Sequence, residues 1–170
     1  MLELQQGDVF ATRNPQGLGS AICLAEKMKS LDGEAEYGHT GFFINGVTGT
    51  TFEALWTIKC QNFFEAYKGN KVLIARWNGM NTTAFMDGFN AVKGQLGRPY
   101  PFYRLFLHLI GLGKVHVDGQ EVCSELTTHF LISSGAMVLS GKEWAGVTPD
   151  NLVDEWRISK HFSVVYEGVL

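Results

Sequence analysis

The sequence predicts an α+β fold, and three observations carry that prediction. Two β-branched and aromatic segments, Thr40 to Ile44 and Thr50 to Thr57, flank the turn-forming run Asn45-Gly46-Val47-Thr48-Gly49, which is hairpin chemistry. Lys71 to Trp77 is an almost continuous apolar run of strand length, as expected of a central strand covered on both faces. From Thr82 to Leu96, the residues Phe85, Phe89, Val92 and Leu96 recur at helical spacing and form one apolar stripe. Strands, interleaved helices and short hairpins, with no repeat or low-complexity tract, make the α+β class.

The remaining elements follow in order. Gly7 to Arg13 reads as a short strand closed by Asn14, Pro15 and Gly17, and Ser20 to Lys29 as a helix capped by Ser20 and stopped by Asp32-Gly33. Gln61 to Tyr67 is expected as a helical turn or loop leading into the 71–77 strand. Gly97 suits the position after the 82–96 helix, and Pro99 and Pro101 prevent its continuation. An aromatic-rich segment runs to Gly113, and Val115 to Gly119 is a turn. Val122, Leu126 and Phe130 then recur every fourth residue, which predicts a helix stopped by Ser133-Ser134-Gly135. After a loop over Trp144 to Val147, Thr148-Pro149-Asp150 starts a short helix to Trp156, and Phe162 to Glu167 is the last strand.

Bulk properties narrow the class of function. At 170 residues, 45% hydrophobic and 18% charged, the chain fits one domain with a sizeable core and is too apolar for disorder. A net charge of −3 with scattered Lys and Arg excludes a stripe that tracks phosphates, so no nucleic-acid partner is expected. Cys23, Cys60 and Cys123 are odd in number and far apart, which suggests neither a disulfide framework nor a zinc site. The start lacks a basic and then apolar leader, and the run Leu105 to Leu112 is interrupted by His108 and shorter than the ~18 residues of a membrane span. A cytoplasmic, reducing location and no transmembrane segment are the expectations.

One segment has the pattern of a nucleophile. Cys123 falls in the first turn of its helix, where unpaired N–H groups and the dipole favour thiolate over a thiol whose free pKa is about 8.5. A base is offered far upstream by His39. If the 40–57 hairpin is symmetric about Gly46, His39 stands directly opposite Glu53, close enough for the carboxylate to orient the imidazole. A slip of two residues keeps the pair as diagonal neighbours, whereas a slip of one separates them. Singly, a helical cysteine or a strand histidine is more often structural; Cys23, among apolar neighbours, is read that way, and Cys60, without a partner, as structural or surface. Glu125, roughly 200° round the helix from Cys123, is expected to accept a structural hydrogen bond. Asp8 is expected to brace a turn. His108, His116, His129 and His161 lack metal-ligand spacing and are read as non-catalytic; no cofactor is implied.

The motifs together resemble the papain-like amidases and peptidases of the NlpC type, in the circularly permuted, YiiX-like branch related to lecithin–retinol acyltransferase. Gly97-Arg98-Pro99-Tyr100 and Cys123-Ser124-Glu125-Leu126 match the helix-and-nucleophile half, and Gly38-His39-Thr40-Gly41-Phe42 matches the histidine half. Here the histidine half comes first, as permutation requires. Gly7-Asp8-Val9, Phe52-Glu53-Ala54 and Thr148-Pro149-Asp150-Asn151-Leu152 extend the resemblance over nearly the whole chain. It implies a permuted papain-like fold, an antiparallel sheet packed against helices, with Cys123 as nucleophile, His39 as base and later acid, and Glu53 orienting His39. Tyr100 would line the oxyanion site, with Tyr100, Tyr37 and a backbone N–H all open as its second donor. Val122 stands where the family often has Tyr or Asp, and the segment between Tyr100 and Cys123 is long.

The implied activity is a cysteine hydrolase acting on an amide bond of a small peptide, cell-wall peptides being typical of the family. Two alternatives accompany it: an acyltransferase or thioesterase on lipid-like acyl groups, and a binding module that keeps the fold without catalysis. A wall substrate would require release by lysis or unconventional export. Oligomeric state is not legible.

Overall fold

The computed structural model describes residues 2–13, 36–101, 121–136 and 147–170. The expected helix at 20–29, the 102–113 segment, the 115–119 turn, Cys23, His108 and His116 lie outside these residues, as do positions 144–146 of the expected loop.

Six strands form one antiparallel sheet: β1 (Val9–Thr12), β2 (His39–Asn45), β3 (Thr50–Ala54), β4 (Ile58–Asn62), β5 (Lys71–Trp77) and β6 (Phe162–Val169). Their spatial order is β4-β3-β2-β1-β5-β6, so the strand nearest the N-terminus lies inside the sheet between β2 and β5. The described helices are α1 (Phe63–Ala66), α2 (Thr82–Val92), α3 (Cys123–Ser133) and α4 (Pro149–Ile158). The α+β class and the antiparallel sheet packed against helices are therefore as expected.

Strand alternation divides the core in two. Val9, Ala11, Phe42, Phe52, Leu73 and Ala75 pack with Phe85 and Val92 of α2, Leu126 and Phe130 of α3, and Leu152 and Trp156 of α4. The opposite face carries Phe10, Phe43, Val72 and Ile74, which pack with Phe63 and Tyr67. Both faces of β5 are thus buried, which is why its sequence reads as a continuous apolar run. Phe42 and Phe130 stack with ring centroids 3.9 Å apart and fix α3 over β2.

Three expectations are corrected. The run 50–57 is not one strand: β3 ends at Ala54, Leu55 N–H reaches the Thr57 carbonyl at 3.1 Å, and the chain turns back as β4. That fourth strand escaped notice because only Ile58 of its five residues is buried, and an edge strand with polar residues on both faces has no alternation to read. The 82–96 helix is α-helical only to Val92 and ends in a 3₁₀ turn, Lys93–Gln95, which leaves Leu96 exposed rather than on the buried stripe. The hairpin is also not symmetric. The turn lies between Asn45 and Thr50, which pair with each other, rather than about Gly46; beyond a one-residue bulge between Phe43 and Asn45, Gly41, not His39, stands opposite Glu53.

Asp8 braces the start of the sheet. Buried, it accepts the Gln5 N–H at 2.8 Å and both the Nε and a terminal nitrogen of Arg76 at 2.7 and 2.9 Å.

Candidate active site

A strand end and a helix end meet at the site. His39 is the first residue of β2 and pairs with Thr12, the last of β1, while Glu53 is the penultimate residue of β3. The register differs from the symmetric one by two residues, so the histidine and the carboxylate remain on one face as diagonal neighbours. Their side chains are long enough to span the diagonal: His39 Nε2 lies 2.7 Å from Glu53 Oε2, with both residues buried. Gly41 permits this approach. A Cβ there would stand 2.8 Å from the Phe10 ring and 2.9 Å from the Glu53 Cβ, so the position directly across from Glu53 has no room for a side chain.

Glu53 is satisfied by three donors. Thr51 Oγ1 donates to Oε1 at 2.5 Å, and Oε2 accepts from Tyr67 as well as from His39. Burial acts to raise the Glu53 pKa, but the hydrogen bond and charge of His39, with Thr51 and Tyr67, outweigh it and hold the group below the usual carboxylate value.

The same imidazole faces Cys123. Burial, the largest single influence, would depress the His39 pKa; the hydrogen bonds and charges of Cys123 and Glu53 override it and raise it from 6.5 to about 9. His39 is therefore an imidazolium at neutral pH, buried between two partners that favour its charge. Because Nε2 is taken by Glu53, Nδ1 is the nitrogen left for the thiol.

α3 brings Cys123 to this point. Val122, Leu126 and Phe130 are buried, as their spacing predicts. Val122 is the N-cap residue and has no oxygen with which to cap, so only half of a capping box exists: Glu125 Oε2 accepts the Val122 N–H at 3.2 Å. Glu125 thus has the structural role expected of it. Thr127 Oγ1 donates to the Cys123 carbonyl at 3.0 Å and lies 3.2 Å from Thr40 Oγ1, which couples the first turn of α3 to the residue after His39. Ser124 Oγ donates to the Val147 carbonyl at 2.6 Å and anchors the same turn to the approach of α4.

Tyr100 reaches the site from the turn that the sequence marks with Gly97 and Pro99. Gly97 adopts a φ of 82° and donates its N–H to Ile58 O at 2.8 Å; Ile58 N–H returns to Arg98 O at 2.9 Å and Tyr100 N–H goes to Trp56 O at 2.9 Å. These bonds stitch the turn to the β3–β4 corner. The Tyr100 side chain, buried, interacts with the Cys123 side chain and with its backbone N–H; burial first, then the charges of Cys123 and Glu125, push its pKa well above the ordinary value. A tyrosine held this way stays protonated and can donate its O–H.

Tyr37 does not join the group. Its hydroxyl donates to Glu167 Oε1 at 3.0 Å and its ring lies beneath Lys71 and Arg157, so its O–H is committed to Glu167 and not to the Cys123 group. The sequence reading also missed Thr51 and Tyr67. Thr51, two residues before Glu53 on a strand, shares its face and was detectable from the period of two; Tyr67 carries no such mark. Cys60 is exposed on β4, its thiol pKa raised by partial burial and then by the charge of Glu53. A second pair, His129 Nδ1 and Glu121 Oε1 at 2.7 Å, stands on and beside α3. His161 is exposed ahead of β6.

The crystal structure of the metalloprotein yiiX from Escherichia coli O157:H7 (DUF1105) is similar to this chain along the whole length, with a TM-score of 0.69, 19% sequence identity and coverage of 99% of each chain. The chain has the YiiX fold. The permuted papain-like order to which the motifs pointed, histidine strand before cysteine helix, is the order of this fold here. No family model and no curated protein matches the sequence. Among the described residues, no three His, Cys, Asp or Glu side chains converge as metal ligands would, so the described part of this YiiX-like chain does not fit a metal. No helix of the described residues is long and apolar enough to cross a membrane.

Proposed function

We propose that the protein is a cysteine hydrolase that cleaves an amide bond of a small peptide through a thioester on Cys123. The observation that carries this reading is the buried line of Glu53, His39 and Cys123, in which the imidazole is held between a carboxylate and the sulfur of a cysteine at a helix start. In the proposed cycle the proton of Cys123 already rests on His39, and the thiolate sulfur attacks the scissile carbonyl carbon. The carbonyl oxygen, now an anion, accepts from the Cys123 N–H and the Tyr100 O–H; loss of one such donor typically costs about 10²–10³ in rate. Collapse breaks the C–N bond as the His39 imidazolium gives its proton to the leaving amine. Water, deprotonated by His39, then attacks the thioester and restores the thiol. An acceptor nucleophile in place of water would turn the same thioester to acyl transfer, at the same residues.

Glu53 stays ionised throughout. It fixes the ring so that Nδ1 addresses the thiol, and it stabilises the imidazolium formed in each half-reaction.

A panel of peptide anilides and cell-wall-type peptides, assayed with wild type and with Cys123→Ala and His39→Ala, tests the reading. Turnover by wild type that falls by at least about 10³-fold in either variant is expected. Turnover that survives Cys123→Ala overturns it, as does a wild-type Cys123 that is alkylated by iodoacetamide no faster than Cys60.

A further inference from the structure

We propose that Tyr67 is a positioning residue of this site: its hydroxyl, working opposite that of Thr51, locks the Glu53 carboxylate in the one orientation that aligns His39 with Cys123. The inference rests on the reading of Cys123 and His39 as a nucleophile and its base, and extends that constellation by a residue from a different part of the chain.

A buried carboxylate that is to orient an imidazole must itself be held. The Glu53 side chain ends in a freely rotating carboxyl whose two oxygens present about four acceptor positions. Oε1 is taken by Thr51 from the same strand, and Oε2 is shared between His39 and Tyr67. Rotation of the carboxyl would break all of these bonds together. Tyr67 is fixed in turn. Its N–H donates to Phe63 O at 3.0 Å, and its ring packs on Phe10 and Phe63 with centroids 5.5 and 5.4 Å away. The ring also lies 6.1 Å from that of His39, at 33°, so Tyr67 touches both members of the pair it holds. Gln61 closes the group: its carbonyl oxygen lies 3.2 Å from Thr51 Oγ1 and its amide 3.4 Å from the Tyr67 hydroxyl.

The other charged or titratable groups about Glu53 do not substitute for this bond. Lys59 is the cross-strand partner of Glu53 in β4, Cys60 follows it, and Cys123 lies beyond His39. Among the described residues, His39, Thr51 and Tyr67 are the groups that hydrogen-bond the carboxylate. The pKa of Tyr67 is raised, by burial first and then by Glu53, so its hydroxyl remains a donor across the working range of pH.

Tyr67→Phe removes the hydroxyl and keeps the ring that packs on Phe10 and Phe63. Two measurements without substrate test the role. Carbon-13 NMR of the glutamate carboxyls follows the Glu53 titration, and peptide mass spectrometry follows iodoacetamide alkylation of Cys123 against Cys60 at pH 7. Loss of a donor to the charged form should move the Glu53 midpoint up by about one pH unit, and misalignment of His39 should slow Cys123 roughly fivefold while Cys60 is unchanged. Site-specific 3-fluorotyrosine at position 67, which retains the hydroxyl and makes it a stronger donor, should move the Glu53 midpoint down and serves if Tyr67→Phe does not fold. Wild-type values for both readouts overturn the proposal. So does a raised midpoint with an unchanged Cys123 rate, which reduces Tyr67 to a structural donor. Since neither readout needs turnover, a negative substrate panel counts against the hydrolase reading alone.

Discussion

Replacing Glu53 by Gln keeps the shape of the side chain and one acceptor oxygen but removes the charge behind His39. In the native site the His39 pKa rises from 6.5 to about 9 although burial opposes the rise, a net preference for the imidazolium of about 3 kcal/mol. Two partners produce it, Cys123 and Glu53, each through a hydrogen bond and a charge. With the charge of Glu53 gone, burial is opposed by Cys123 and by a neutral hydrogen bond alone. Glu53→Gln should therefore lower the His39 midpoint by at least about one pH unit, a change of roughly 1.4 kcal/mol or more. Nitrogen-15 NMR of labelled histidine follows the ring directly, and His39→Gln assigns the signal among the five histidines. Hydrolysis, if it depends on the imidazolium as acid, should lose its alkaline limb over the same interval. A His39 midpoint that stays near 9 in Glu53→Gln would refute the claim that the carboxylate sustains the charged ring.

Four further outcomes are expected. Stability should have a pH window set by the pair: the contribution of His39, whose folded pKa is raised, is complete below about 6.5 and lost as pH climbs to about 9, whereas that of Glu53, whose folded pKa is lowered, is present above its ordinary 4.5 and lost on acidification; urea midpoints from pH 3 to 10 measure both. Gly88→Ala should cost roughly 1–3 kcal/mol in urea unfolding, because a Cβ there would meet the Phe130 carbonyl at 2.6 Å and push α3 away from α2. Asp8→Ala should cost about 2 kcal/mol by the same assay, since it strips Arg76 of its bidentate partner and Gln5 N–H of its acceptor. Tyr37→Phe should leave Cys123 alkylation at the wild-type rate while lowering stability by about 1 kcal/mol; a slowed Cys123 would return Tyr37 to the site.

Much of this protein is written locally. The hairpin turn, the apolar run of β5, the Val122, Leu126 and Phe130 stripe and the Thr148-Pro149 helix start each depend on residues a few positions apart, and backbone preference and periodicity suffice to read them. The placement of Cys123 at a helix start and of His39 and Glu53 on one hairpin face was legible for the same reason. What the sequence alone did not decide depends on packing between distant segments. A turn centred beyond Gly46, with a one-residue bulge in β2, leaves the register two residues from the symmetric one, and the pair survived because strands alternate with a period of two. β4 is an edge strand that needs burial on neither face, so no pattern announces it. Tyr37 and Tyr67 are both buried tyrosines, and only the tertiary arrangement sends one hydroxyl to Glu167 and the other to Glu53. Side-chain partners separated by many residues are chosen by the fold, whereas the faces that present them are chosen by the chain itself.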